Sequence, residues 1–242
     1  LIPLQELICR AILIPLSIRK AKRILTVSEW MKREICNRCK IPLEKVEVIC
    51  HGVNGNLFFH QQNVDFLKKF NIQSPYLLTV SVLWRYKNLN RLIEAFKIIK
   101  EEYRIKHKLV IVGKDDSRNM QKYDQLTKQL GVNNEVLFVG PVSQYDLKYF
   151  YSGADVFIFL SEIESFGLPL LEAMACEVPI IASNKTAIPE VVGDAGMLVD
   201  PHNIKIVAMT IYELISNSSL REELIKRGRQ RIKQFDWLEI AK

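Results

Sequence analysis

Apolar and polar positions follow two different rhythms along this chain. From about residue 75, short apolar runs recur at 76–81, 108–112, 135–139, 155–160, 178–182 and 196–199. Most are rich in β-branched and aromatic residues, which predicts buried strands. Between them the spacing becomes helical. Leu89, Leu92, Ile93, Phe96 and Ile99 place one apolar face on residues 89–102. Further helices are predicted at 118–130, 143–151, 168–176, 187–192, 203–216 and 218–234. Strands alternating with helices predict an α/β fold, a Rossmann-like doubly wound parallel sheet. Before residue 50 the pattern differs: a loosely apolar helix at 4–16, a strand at 23–27, a helix at 29–39 capped by Ser28, and a strand at 46–49. His51-Gly52-Val53-Asn54-Gly55-Asn56 then reads as a linker. It divides the chain into residues 1–50, the tail of one domain, and 51–242, a second domain.

Composition narrows the class. Of 242 residues, 48% are hydrophobic and 25% are charged, the proportions of a globular protein with a full core. The most apolar stretch, Leu1 to Ile18, is broken by Pro3, Glu6, Arg10 and Pro15, so it predicts neither a spanning helix nor a signal peptide. The chain starts at Leu1 rather than Met, so it reads as a fragment of a longer protein. The net charge of +7 is concentrated early, with ten basic against five acidic residues in positions 1–50. Such a surface suits an anionic membrane, and equally a solvated basic face. Nucleic acid is not an expected partner. Cys36-Asn37-Arg38-Cys39 has no second spaced pair, and adjacent Cys50 and His51 are awkward ligands. The cysteines therefore read as reduced thiols, no metal is expected, and a cytoplasmic, reducing compartment follows.

Candidate chemistry gathers where the run 155–160 meets the helix at 168–176. Gly167 permits close backbone approach, and Pro169 suits the start of a helix, whose free N–H groups bind phosphate. Glu164 stands on one lip. Glu172 is placed in the first helical turn on the other. Two carboxylates beside a phosphate cradle suit a ligand rich in hydroxyls. Dipole stabilisation by Glu172 is the plainer alternative; a capping box is not, because Pro169 occupies the position three residues earlier. The turn Ser81-Val82-Leu83-Trp84-Arg85-Tyr86-Lys87-Asn88 supplies two cations, Arg85 and Lys87, for a diphosphate. The single glycine after the run 108–112 is not a dinucleotide fingerprint, no Walker lysine loop occurs, and the four histidines lack metal spacing.

The stretch Glu164-Ser165-Phe166-Gly167-Leu168-Pro169-Leu170-Leu171-Glu172-Ala173-Met174-Ala175 resembles the E-x-F-G-L-P-x-x-E-A-M-A signature of retaining family 4 glycosyltransferases, group 1 enzymes of GT-B fold. Residues 24–29, His51 to Asn54, Leu83 to Asn88, Val139 to Val142, Ala187 to Val191 and Ala195 to Pro201 are similar to other parts of that family. The resemblance implies a transferase that moves a hexose-type sugar from a nucleotide sugar to a saccharide or lipid-linked acceptor in surface-polysaccharide synthesis, with retention and without a metal or other cofactor. By position, Glu172 would bind the ribose hydroxyls, and backbone amides of Phe166, Gly167 and Leu168 the sugar and diphosphate. Glu164 would sit by the transferred sugar. Lys87, helped by Arg85, would stabilise the departing diphosphate, and Gly140, Pro141 and Val142 would border the base. It also implies a peripheral place at the inner membrane face.

Two departures stand out. Ser81-Val82 replaces the family's Gly-Arg, so Arg85 is the expected substitute cation. Glu177 replaces a common Gly, so the preceding helix is expected to end differently. Only the tail of the family's first domain is present, so weak donor binding and slow or absent turnover are expected of this chain. Two other classes fit in part: a binding module without turnover, and a sugar-nucleotide epimerase of the same fold, which would not be expected to carry the paired glutamates.

Overall fold

The computed structural model describes residues 12–73, 75–115 and 119–240. Two short strands, β1 (Ile24–Thr26) and β2 (Val46–Val48), pair in parallel with Ile24 opposite Val46. Helix α1 (Ile14–Lys20) precedes them and α2 (Glu29–Cys39) crosses between them. Ser28 caps α2 as its sequence position requires, accepting from the Met31 amide at 3.1 Å. Cys36, Cys39, Cys50 and Cys176 are free thiols.

The main sheet holds β3 (Tyr76–Val80), β4 (Lys108–Val112), β5 (Val136–Gly140), β6 (Val156–Phe159), β7 (Ile180–Ser183) and β8 (Gly196–Val199). All pairings are parallel and the order is β5-β4-β3-β6-β7-β8. Winding runs outward from β3 to β5, then returns to β6 and runs the other way. The reversal leaves a crevice at the carboxyl ends of β3 and β6.

Successive strand residues face opposite sides of the sheet, and both sides are covered. Tyr76, Leu78, Phe157 and Phe159 pack with residues of α6 (Leu147–Gly153), α7 (Leu168–Ala175) and α8 (Ile188–Val192). Leu77, Val156 and Ile158 pack on the other side with α4 (Leu89–Glu102) and α9 (Ile204–Ser216), around Phe96 and Ile211. Burial on both faces is why these strands read as continuous apolar runs.

The elements depart from their predicted bounds in physically legible ways. Residues 1–11, most of the predicted helix at 4–16, lie outside the described residues; α1 runs on to Lys20, and it tolerates Pro15 because that residue falls in its first turn, where no N–H is needed. Helix α6 begins at Leu147 rather than 143, after a turn closed by Asp146 N–H to the Ser143 carbonyl. A short helix, Val64–Lys68, was not predicted; Asn63 caps it through the Phe66 amide. Between α4 and β5 the helix is Met120–Gln129. The helix Ser218–Arg231 ends in a 3-10 turn at Ile232–Phe235, and Asp236 bridges to Val53.

Candidate functional site

Two loops meet over the crevice. The loop after β3 tightens into a 3-10 turn at Arg85–Lys87, ended by Asn88 in the left-handed region at φ 62°. Asn88 is buried and donates from Nδ2 to the Pro201 carbonyl at 2.9 Å, which pins the turn. The loop after β6 is joined to it directly: the Glu162 amide donates to the Tyr86 carbonyl at 2.8 Å. Lys87 Nζ consequently lies 2.5 Å from Glu164 Oε1, with only 11% and 14% of the two side chains exposed. The same ammonium stands 5.1 Å from the Tyr86 ring centre and 5.2 Å from that of Phe159. Burial, and next the Glu164 charge, push the Tyr86 phenol up from its ordinary value. The backbone of Glu164 is held as well, its N–H donating to Thr186 Oγ1 at 3.0 Å.

Helix α7 starts at Leu168, with Gly167 before it at φ 115°. A β-carbon there would also stand 2.9 Å from Leu170 Cδ1, so the turn requires glycine. Phe166 is buried, edge-on to His51 at 5.3 Å and to Phe235 at 5.8 Å between centroids. Its side chain therefore anchors the loop in the core, and only its backbone is placed to serve a ligand. Leu168 is 40% exposed at the helix start.

Glu172 corrects the sequence reading in one respect. It is the fifth residue of α7, so no acid lies in the first turn. Its Oε2 accepts from the Tyr151 hydroxyl of α6 at 2.8 Å. Burial raises the Glu172 carboxyl above its ordinary value, and the phenol's hydrogen bond partly offsets that. Glu172 is thus a desolvated carboxylate with a neutral partner, not a dipole-stabilising acid.

Ser81 and Gly113 bring the ends of β3 and β4 together. A β-carbon on Gly113 would meet the Ser81 carbonyl oxygen at 1.9 Å. The Gly113 amide donates to the Gly140 carbonyl at 3.0 Å, where β5 ends with Gly140 at φ 83°. Pro141 is exposed at this rim and Val142 packs partly on the core. Arg85 is exposed, and it lines a neighbouring groove of about 400 Å³ with Asn90, Lys122 and Tyr123. At the crevice Lys87 pairs closely with Glu164, while Arg85 is exposed beside the neighbouring groove. Glu177 takes the left-handed conformation that glycine supplies freely, at φ 59°, and its carboxylate is gripped by Arg229 at 2.8 and 2.5 Å. Among the described residues, no group of three or more His, Cys, Asp or Glu is arranged to hold a metal ion.

Contacts from the first 50 residues were not legible in sequence. Ser28 Oγ donates to the Ser165 carbonyl at 2.8 Å. The Glu190 carboxylate accepts from the amides of Glu29 and Trp30 at 2.8 and 3.0 Å, across 161 and 160 positions of chain. Tyr151 and Thr186 were missed for the same reason: no local spacing marks a partner that only folding supplies.

A parallel sheet wound in both directions, with a glycine-led helix start at its reversal, is the architecture of one half of a GT-B fold. The chain belongs to the group 1 glycosyl transferases, whose family model matches residues 60–231. It is 31% identical over 227 residues to O-antigen chain mannosyltransferase B of Escherichia coli, covering 91% of this chain and 58% of that protein. It is 32% identical over 238 residues to the capsular polysaccharide biosynthesis glycosyltransferase CapM of Staphylococcus aureus, covering 91% and 60%. The chain thus spans about three fifths of the curated relatives it matches. The Anabaena protein HepE, solved with UDP and glucose, shares the fold at TM-score 0.85 and 20% identity, over 95% of this chain and 63% of that one.

Proposed function

We propose that this chain is the donor-binding half of a retaining, family 4 glycosyltransferase. It moves a hexose-type sugar from a nucleotide sugar to a saccharide or lipid-linked acceptor in surface-polysaccharide synthesis. The observation that carries the reading is the meeting of Lys87 and Glu164 at the sheet's reversal, beside the open start of α7. Lys87 lies where negative charge grows on a departing diphosphate, and a cation in a poorly solvated site is worth far more than one in water. The α7 amides receive the phosphates and sugar, Glu172 accepts from the ribose hydroxyls, and Gly140, Pro141 and Val142 border the base. Glu164 orients the sugar hydroxyls and favours positive charge at the anomeric carbon. Acceptor and leaving group share one face, so configuration is retained. Arg85 supplies longer-range attraction for the donor from the rim. No metal or other cofactor takes part in this reading.

The relatives' names support the polysaccharide setting. A donor-binding module without turnover is the second reading, favoured because matched relatives extend well beyond the aligned segment. The basic residues around α1 and β1, Arg19, Lys20, Lys22 and Arg23, support peripheral contact with an anionic membrane on the cytoplasmic side. No helix among the described residues is long and apolar enough to cross a membrane.

Isothermal titration with UDP-, GDP- and ADP-sugars, with Glu172→Ala as control, tests donor binding. One nucleotide is expected to bind and to be weakened in the variant; no binding by any of them overturns the reading. Assaying release of the free nucleoside diphosphate with acceptor present then separates transfer from binding alone.

A further inference from the structure

We propose that Tyr151 is a positioning residue for nucleotide binding: its hydroxyl fixes the Glu172 carboxylate so that the second oxygen is presented to a pair of vicinal ribose hydroxyls. This rests on Glu172 being the ribose acceptor.

The geometry supports a built-in aim. Tyr151 is fully buried, and its ring is trapped edge-on between Phe58 and Phe157, at 6.2 and 5.2 Å between centroids. The helix that carries it is tied to the sheet by Tyr76, whose hydroxyl donates to the Phe150 carbonyl at 2.7 Å. The Tyr151 hydroxyl can therefore move little, and it donates to Glu172 Oε2 at 2.8 Å. A carboxylate has two oxygens, so one remains for a ligand. A glutamate side chain otherwise keeps several rotamers, and ordering it on binding weakens affinity.

The surroundings also make this bond electrostatically consequential. Among the described residues Cys176 also faces the pair, its thiol pushed up to about 12 by burial and so neutral; Lys148 lies near enough to act on that thiol, and the His60 ring meets the Cys176 carbonyl at 3.2 Å. Glu172 thus depends on a neutral phenol to remain ionised in a desolvated place. Removing the phenol hydroxyl moves its proton uptake to higher pH, and a protonated carboxyl accepts less well from two hydroxyls.

The test is Tyr151→Phe, measured by calorimetry with UDP, GDP and ADP and with the 2′,3′-dideoxy form of whichever binds. A hydrogen bond to a charged group sets the scale at roughly tenfold weaker binding. Three results support the inference together. The loss is confined to the ribonucleotide; it disappears in a Glu172→Gln background; and the acidic limb of the affinity–pH profile moves to higher pH in Tyr151→Phe. An equal loss for the dideoxy nucleotide, or an undiminished loss in Glu172→Gln, shows general loosening and overturns it. Should Tyr151→Phe lower the thermal midpoint markedly, the dideoxy comparison still separates the two, since both ligands meet the same loosened protein. If Glu172→Gln alone leaves nucleotide affinity unchanged, the ribose reading itself fails, which is distinguishable from a silent Tyr151→Phe beside a weakened Glu172→Gln.

Discussion

The two signature carboxylates, eight positions apart in one loop and helix, live in opposite electrical environments. Glu164 meets an ammonium that also rests against two aromatic rings. Glu172 meets a neutral phenol, in a place that resists charge. A charge taken out of water costs several kcal/mol unless a partner returns it. Glu164 has that partner and Glu172 does not. One motif can therefore hold both a partnered, ion-paired carboxylate and a poised, destabilised one. The difference also implies that removing charge has opposite consequences at the two sites.

The largest effect is expected from Lys87→Ala. It strands Glu164 with little water around it, costing about 3 kcal/mol of stability by the scale for broken buried pairs, and transfer should fall by roughly 100-fold or more. Urea denaturation of the chain and transfer by the whole enzyme measure the two; an unchanged midpoint would show that the pair carries no weight. Glu164→Gln should cost less, about 1 kcal/mol, because Lys87 keeps the faces of Tyr86 and Phe159. It should also bind free nucleoside diphosphate at least as tightly as the wild type, since the ammonium no longer serves a carboxylate. Weaker binding would mean that Glu164 contacts the ligand more than it occupies Lys87.

At Glu172 the sign reverses. Glu172→Gln should raise stability at neutral pH, on the order of 1 kcal/mol, because it removes a desolvated charge. Nucleotide affinity should fall in the same variant, and a destabilised Glu172→Gln would erase the contrast. The smallest effect is in pH. The folded Glu172 carboxyl takes up its proton above the ordinary 4.5. Between those two values the folded state holds the extra proton, so this group favours folding more as pH falls through that window. Nucleotide affinity runs the other way and declines across the same window. Paired denaturation and calorimetry at a series of mildly acidic pH values should show the two trends crossing, and Glu172→Gln should flatten both.

Much of this was legible in residue order. The apolar runs located five of the six main strands closely, and β7 starts two residues late because Pro179 cannot donate to a ladder. Gly167 and Pro169 announced the start of α7, and Ser28 announced that of α2. The site residues Lys87 and Glu164 were picked from separate loops, and folding joins them at 2.5 Å. Placement of Glu172 in the first turn failed because the helix already opens at Leu168, one residue before Pro169, so Glu172 is its fifth residue and lies past the first turn. Arg85 was read as a second cation beside Lys87; the structure leaves it exposed, lining a neighbouring groove with Asn90, Lys122 and Tyr123.

Residue order alone was enough for the class of fold and the order of its elements, since these follow from local periodicity and backbone-permissive residues, and it marked Glu164 to Glu172 as the candidate loop. Which partner each charge meets was settled by folding. Lys87 and Glu164 are 77 residues apart, Tyr151 and Glu172 are 21 apart, and Glu190 reaches Glu29 across 161. Desolvation and pairing depend on what surrounds a group in three dimensions, and no periodicity along the chain encodes that. The signature singled out two glutamates, and the fold made one of them half of an ion pair and the other a raised acid beside Tyr151.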